Sequence, residues 1–231
     1  MMKRKALRAA FPYTIPIFAG YLFLGMSYGV LITSSGFPFW FPILTSITVF
    51  AGSMEFVTVN LLLGAFNPVQ ALLMTLMINA RHLFYGLSML DRYKDMGWKR
   101  PFLIYGLTDE TFSVTCTVDP PVGVDKGWFN LFVTALDHSY WILGSTLGGI
   151  FGTILKFNTE GLDFVMTAMF VVILLEQLLK EKDHRPALIG LVLPVGALLL
   201  FGPESFMIPA MAAIMLALTL LRKPLERGLA A

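Results

Sequence analysis

The stretch Met77-Ile-Asn-Ala-Arg-His-Leu-Phe-Tyr-Gly86 sits inside an apolar run from about 69 to 90, where a charge is hard to accommodate. At ~100° per residue, Asn79, His82 and Gly86 share one helical face, while Arg81 and Tyr85 share another. A guanidinium at the centre of a bilayer costs roughly 2.5–3.5 kcal/mol on insertion scales. Arg81 is therefore expected to be paired, wet or part of a site. The alternative is that Arg81 and His82 lie near a helix end and snorkel to the headgroups.

Composition sets the class. The chain has 231 residues, 56% of them hydrophobic and only 14% charged, against about 25% charged in soluble domains. Its mean hydropathy is +0.73. Twenty Phe, thirteen Met and twenty Gly suit packed membrane helices, where small residues let backbones approach. The expectation is an all-α polytopic membrane protein in a lipid bilayer, with residues 1–231 as one transmembrane transport domain. A net charge of +2 leaves no footprint for nucleic acid. The single cysteine, Cys116, excludes an internal disulfide and a cysteine-only metal cluster.

Apolar segments of about 20 residues mark the spans. They fall at about 12–33, 41–63, 69–90, 101–118, 128–155, 161–179, 186–201 and 206–221. The basic start looks like the opening of a signal peptide, but the apolar run behind it is long and has no small-x-small cleavage pattern, so it reads as an uncleaved first span. Tyr21, Gly25 and Gly29 share a face of that span, and Asp137, Trp141, Gly144, Gly148 and Gly152 one side of the fifth. Both read as close-packing surfaces. Within the second, Thr48, Gly52, Glu55 and Thr58 form one stripe, and a carboxylate there needs a partner or a proton.

The segment at 101–118 is short and polar, and reads as broken or re-entrant. Its Asp109 and Glu110 point to function, with helix-cap chemistry after Thr108 as the alternative. Asp137 and His138 belong either to a proton path or to the membrane interface.

If all eight segments cross with the N-terminus inside, the basic residues of 92–100 fall outside with Lys156, and the remaining loop and terminal Lys and Arg fall inside. Seven crossings is the other count, if 101–118 is re-entrant. Tyr21, Leu24, Gly25, Ser27 and Gly29 match Tyr140, Leu143, Gly144, Thr146 and Gly148 at a constant offset. That echo suggests an internal duplication, with half-repeats about 11–100 and 128–221, and a site at their junction.

Catalysis has little to stand on. No nucleophile–base pair, phosphate loop or metal-ligand spacing among His82, His138 and His184 appears, so neither an enzyme nor a cofactor or metal is expected. Groups of both signs inside the spans suit a small zwitterion: Arg81 and His82 against Glu55, Asp109 and Glu110. Gly52 and Gly86 would let it approach the backbone, and the apolar surroundings suit an aliphatic side chain.

Phe50-Ala-Gly-Ser-Met-Glu-Phe56, Asn79-Ala-Arg-His-Leu-Phe-Tyr-Gly86, Thr108-Asp-Glu-Thr-Phe112 and Gly161-Leu-Asp-Phe164 together resemble the AzlC family, the large subunits of two-component branched-chain amino acid exporters. The resemblance runs from about 11 to 221. Glu55 departs from it, since the family often has Gln there. The resemblance implies a multi-pass protein of the plasma (inner) membrane that exports valine, leucine, isoleucine or similar amino acids. It also implies a small AzlD-type membrane subunit as partner and proton motive force as the drive. A channel-like or structural subunit whose partner sets specificity, or a transporter of another small solute, is the alternative. On the family reading the substrate would meet Gly52, Glu55, Asn79, Arg81, His82, Tyr85, Gly86, Asp109 and Glu110. Glu55, His82, Asp109, Glu110 and Asp137 would be the candidates for proton coupling.

Overall fold

The first helix, α1 (Met2–Ser34), runs parallel to the long helix α8 (Lys126–Ile154), and the two pack backbone to backbone. Small residues make this possible. A Cβ on Gly25 would lie 2.9 Å from the Ser145 amide nitrogen, and one on Gly144 would lie 2.7 Å from the Tyr21 carbonyl oxygen. At Gly29 and Gly148 it would fall on the Ser145 and Met26 carbonyls. The two stretches that echo each other in sequence, 21–29 and 140–148, thus lie against one another.

The computed structural model describes residues 2–65, 67–154, 183–202 and 206–221, with positions 164, 167–168, 171, 174–175 and 178–179. The segment expected at 161–179 lies largely outside them. Every regular element among the described residues is helical. Two compact units divide the chain, Met1–Val165 and Met166–Ala231. In the second, α9 (Arg185–Phe201) packs on α10 (Met207–Leu220), with Gly202 turning the chain at φ 73° after α9.

In the first unit three apolar segments are interrupted. Residues 41–63 split into α2 (Phe41–Thr48) and α3 (Gly52–Leu63). Residues 68–89 split at Asn79 into α4 (Pro68–Ile78) and α5 (Ala80–Met89). Beyond a 3₁₀ turn, residues 100–117 split into α6 (Arg100–Tyr105) and α7 (Asp109–Thr117).

The first of these corrects the expected topology. Segment 41–63 does not run end to end but turns back on itself. Tyr28 of α1 hydrogen-bonds Thr45 of α2 at 2.8 Å and packs its ring 5.6 Å from Phe56 of α3. Ser46 reaches Glu55 at 3.3 Å. A straight helix would separate Thr45 from Phe56 by about 16 Å. α6 and α7 form a second hairpin, entering from the other end: Leu103 and Met89 share a cluster with Leu131 near the start of α8, and Tyr93 of the loop after α5 meets Thr115 of α7. α4 and α5 together run the length of the bundle, with Thr75 beside Met54 and Tyr93 beside Thr115.

The basic residues of the first unit's start and of its loops at 92–100 and 126 therefore gather at one end. Lys3 and Lys99 both lie over the Trp128 ring, at 4.5 and 4.8 Å, and Arg92 and Lys126 both pair with Asp119. Lys126 and then Arg92 hold the Asp119 carboxyl below its ordinary range. The loop 92–100, expected opposite the N-terminus, shares its end. The turn at 35–40 and residues 64–65, at the other end, carry no charge. One helix, α1, is by itself long and apolar enough to cross a membrane among the described residues.

Candidate functional site

The tips of the two hairpins meet at mid-depth, against the middle of α1 and α8. The last carbonyls of α2 have no intrahelical partner, and side chains from the other elements satisfy two of them. The Tyr105 hydroxyl donates to the Ile47 carbonyl at 2.6 Å, and a His138 ring nitrogen lies 2.9 Å from the Ser46 carbonyl. Phe50, at the α2–α3 turn, holds φ 44°, a left-handed conformation costing a bulky residue about 1–3 kcal/mol. Packing compensates: its ring lies 4.2 Å from that of His138 and near those of Tyr21 and Tyr105.

Three half-helices, α3, α5 and α7, start in this central layer. Their N-termini carry partial positive charge and favour anions. Glu55 lies in the first turn of α3 and is 1% exposed. It accepts from the Ala51 amide at 3.2 Å, the Trp141 indole at 3.0 Å and the Ser46 hydroxyl at 3.3 Å. Gly52 makes room for that indole, since a Cβ there would lie 2.9 Å from its ring. The close approach at Gly52 is thus occupied by a side chain. Thr108 caps α7 by accepting from the Thr111 amide, leaving Asp109 and Glu110 free for other partners.

Arg81 does not snorkel. Its guanidinium lies 2.9 Å from Asp109 and donates to Ser53 at 3.3 Å. A cation at the start of α5 opposes the helix dipole, and Asp109 offsets it. Asp109 Oδ1 is buried without a hydrogen-bond partner, and Tyr85 stands beside this carboxylate, stacked on Phe112 at 4.3 Å. Of the three acids expected near Arg81, only Asp109 bonds it directly. Glu110 receives the Tyr21 hydroxyl at 2.6 Å, and Asp137 receives Thr111 at 2.8 Å.

The other face of α5 opens on a cavity of about 710 Å³. Asn79, His82 and Gly86 line it with Phe50, Leu87 and Ile104. A Cβ at Gly86 would meet nothing within 4 Å. The periodicity of the opening stretch thus separates two surfaces, one on the ion pair and one on an apolar chamber. Among the described residues no group of three His, Cys, Asp or Glu side chains is placed to hold a metal.

Sequence reasoning passed over Ser46 and took Tyr21 and Trp141 for packing residues. The available signal was an amphipathic aromatic in mid-span, since a buried phenol or indole needs a polar partner.

Residues 16–155 match the family model described as AzlC protein. A Bacillus subtilis protein named branched-chain amino acid transport protein AzlC is 61% identical, over 96% of this chain and 88% of its own length. A Haemophilus influenzae protein named only as a membrane protein is 45% identical, over 97% of this chain and 93% of its own. The Escherichia coli inner membrane protein YgaZ is 24% identical, over 85% and 80%. No solved structure matches the chain.

Proposed function

This chain belongs to the AzlC family of membrane proteins, and on that premise we propose that it exports branched-chain amino acids across the plasma (inner) membrane. The observation that carries the reading is the Arg81–Asp109 ion pair, held at mid-depth one helical face away from an apolar cavity. A zwitterion can exchange with such a pair. Its carboxylate takes the Arg81 guanidinium and the α5 N-terminus, while its ammonium takes Asp109, whose Oδ1 is unsatisfied. Each ion in this central layer then keeps an opposite partner. The apolar cavity beside Phe50, Gly86 and Leu87, on the other face of α5, is the route by which the amino acid approaches the pair, and it favours aliphatic over charged side chains.

Half-helices that start and stop around a central site are a recurrent plan in secondary transporters. In this reading α1, α4–α5 and α8 cross the membrane, the two hairpins re-enter it from opposite sides, and the basic end faces the cytoplasm. With the segments at 161–179, 186–201 and 206–221 the crossings number six. Lys156 is then alone among the loop and terminal Lys and Arg outside. Proton motive force drives export, and a small AzlD-type subunit completes the carrier.

Counterflow of labelled valine in vesicles, with and without the small subunit, tests this. Saturable exchange by the wild type, lost in Arg81→Gln at equal membrane content, supports the reading. Undiminished exchange in Arg81→Gln removes the ion pair from the site. Selectivity that follows the partner alone would make this chain the structural subunit instead.

A further inference from the structure

A line of hydroxyl groups joins two acids across three helices. Tyr21 of α1 lies 2.6 Å from Glu110 Oε2 and 2.7 Å from Thr108 Oγ1. Thr108 Oγ1 lies 3.1 Å from Thr111 Oγ1, which reaches Asp137 Oδ2 of α8 at 2.8 Å. Tyr21 is 5% exposed, and Thr111 and Asp137 are fully buried. Asp137 Oδ1 has no hydrogen-bond partner, an unusual condition for a buried carboxyl oxygen that structure alone has to hold. Capping explains the contact of Thr108 with the Thr111 amide. It does not explain a phenol poised between two acceptors, nor an unbroken path ending on a sealed acid.

We infer that Tyr21, Thr108 and Thr111 form a proton relay through which Glu110 and Asp137 share one proton. The inference rests on the transport reading above and adds to it a route for the coupling ion. With the proton on Glu110, each O–H points onward: Glu110 to Tyr21, Tyr21 to Thr108, Thr108 to Thr111, and Thr111 to Asp137. Transfer breaks the Glu110 O–H bond and forms one on Asp137. Each hydroxyl between takes one proton and gives one, and ends neutral. Glu110 is left as a carboxylate, and the hydroxyls now point back toward it, the orientation in which Tyr21 donates to Glu110.

The surroundings give the shift a consequence. Glu110 faces Tyr21 on α1, the neighbouring Asp109 on α7 and Tyr85 on α5; Asp137 faces Glu110 and Tyr21. Asp109 in turn holds Arg81. Moving the proton to Asp137 therefore adds negative charge beside the ion pair, where an ammonium would bind, and hides the proton in a sealed position. Moving it back removes that charge and releases the cation.

The test uses two assays on the reconstituted chain with its small partner. Valine counterflow at equal pH needs no net proton movement, whereas efflux driven by an imposed pH gradient does. Tyr21→Phe and Thr111→Val each delete one hydroxyl at nearly constant volume. Both should keep counterflow and lose gradient-driven efflux by about 100-fold, the lower range for a lost proton-transfer group. Thr111→Ser, which keeps the hydroxyl, should restore it. Gradient-driven efflux that survives in both deletions while counterflow persists overturns the relay and leaves the transport reading standing. Absence of counterflow in the wild type overturns both.

Discussion

The Arg81 guanidinium and the Asp109 carboxylate lie 2.9 Å apart, and each is the second or first residue of a half-helix that begins in the middle of the bundle. Their side chains are 31% and 26% exposed, so the pair is held by protein yet open enough for a ligand to exchange with it. A hydrogen bond to a charged group contributes about 1.5–3 kcal/mol. Arg81→Gln should thus lower valine exchange about 10- to 100-fold. Removing both charges, as Arg81→Gln with Asp109→Asn, should recover thermal stability lost in either single variant, because no unpaired ion remains. Exchange should stay low in the double variant. Recovery of exchange would reduce the pair to a structural clasp.

The two hairpins make a prediction about sidedness. In a Cys116→Ser background, single cysteines at Ser35 and Gly64 should react with an impermeant maleimide from one face of the membrane. Cysteines at Lys94 and Val122 should react from the other, together with one at Met2. A chain that crossed at 41–63 would place Ser35 and Gly64 on opposite faces. Labelling of Ser35 and Lys94 from the same face would discard the hairpin at α2–α3.

That hairpin escapes a reading of the sequence for a physical reason. Hydropathy registers that 41–63 is apolar and long enough to cross, but it carries no information on direction. The reversal occurs at Val49-Phe50-Ala51, with no Pro or Asn to announce it. The signal lay in tertiary contacts, Tyr28 with both Thr45 and Phe56. Glu55 was visible as an anomaly, yet its indole partner is 86 residues away. By contrast, whatever helical periodicity alone decides was legible. Asn79, His82 and Gly86 do face one space, Arg81 and Tyr85 another, and the glycines of α1 and α8 form contact surfaces. The break at 101–118 was legible too, through its polarity.

Helix contact between α1 and α8 should be intolerant of added bulk. In Gly29→Ala and Gly148→Ala a methyl group meets carbonyl oxygens of the facing backbone, which cannot step aside as a side chain can. Overpacking of this kind costs about 1–3 kcal/mol. Gly20→Ala, on α1 with nothing within 4 Å, should instead gain about 0.5–1 kcal/mol from helix propensity. Thermal unfolding of the three variants in one detergent checks the order. Equal melting temperatures for Gly20→Ala and Gly148→Ala would contradict backbone-to-backbone packing.

Gly86 separates fold from function in the other direction. It lies within α5, lines the cavity, and has open space where a side chain would project. Gly86→Ala should therefore stabilise the helix by about 0.5–1 kcal/mol and leave exchange nearly unchanged. Gly86→Phe projects an aromatic ring into the chamber beside Phe50 and Leu87. It should insert and fold like the wild type, because the ring displaces empty volume rather than packed neighbours, while valine exchange falls sharply and exchange of a smaller amino acid such as alanine falls less. A Gly86→Phe variant that exchanged valine at the wild-type rate would show that the substrate reaches Arg81 and Asp109 without passing through the chamber.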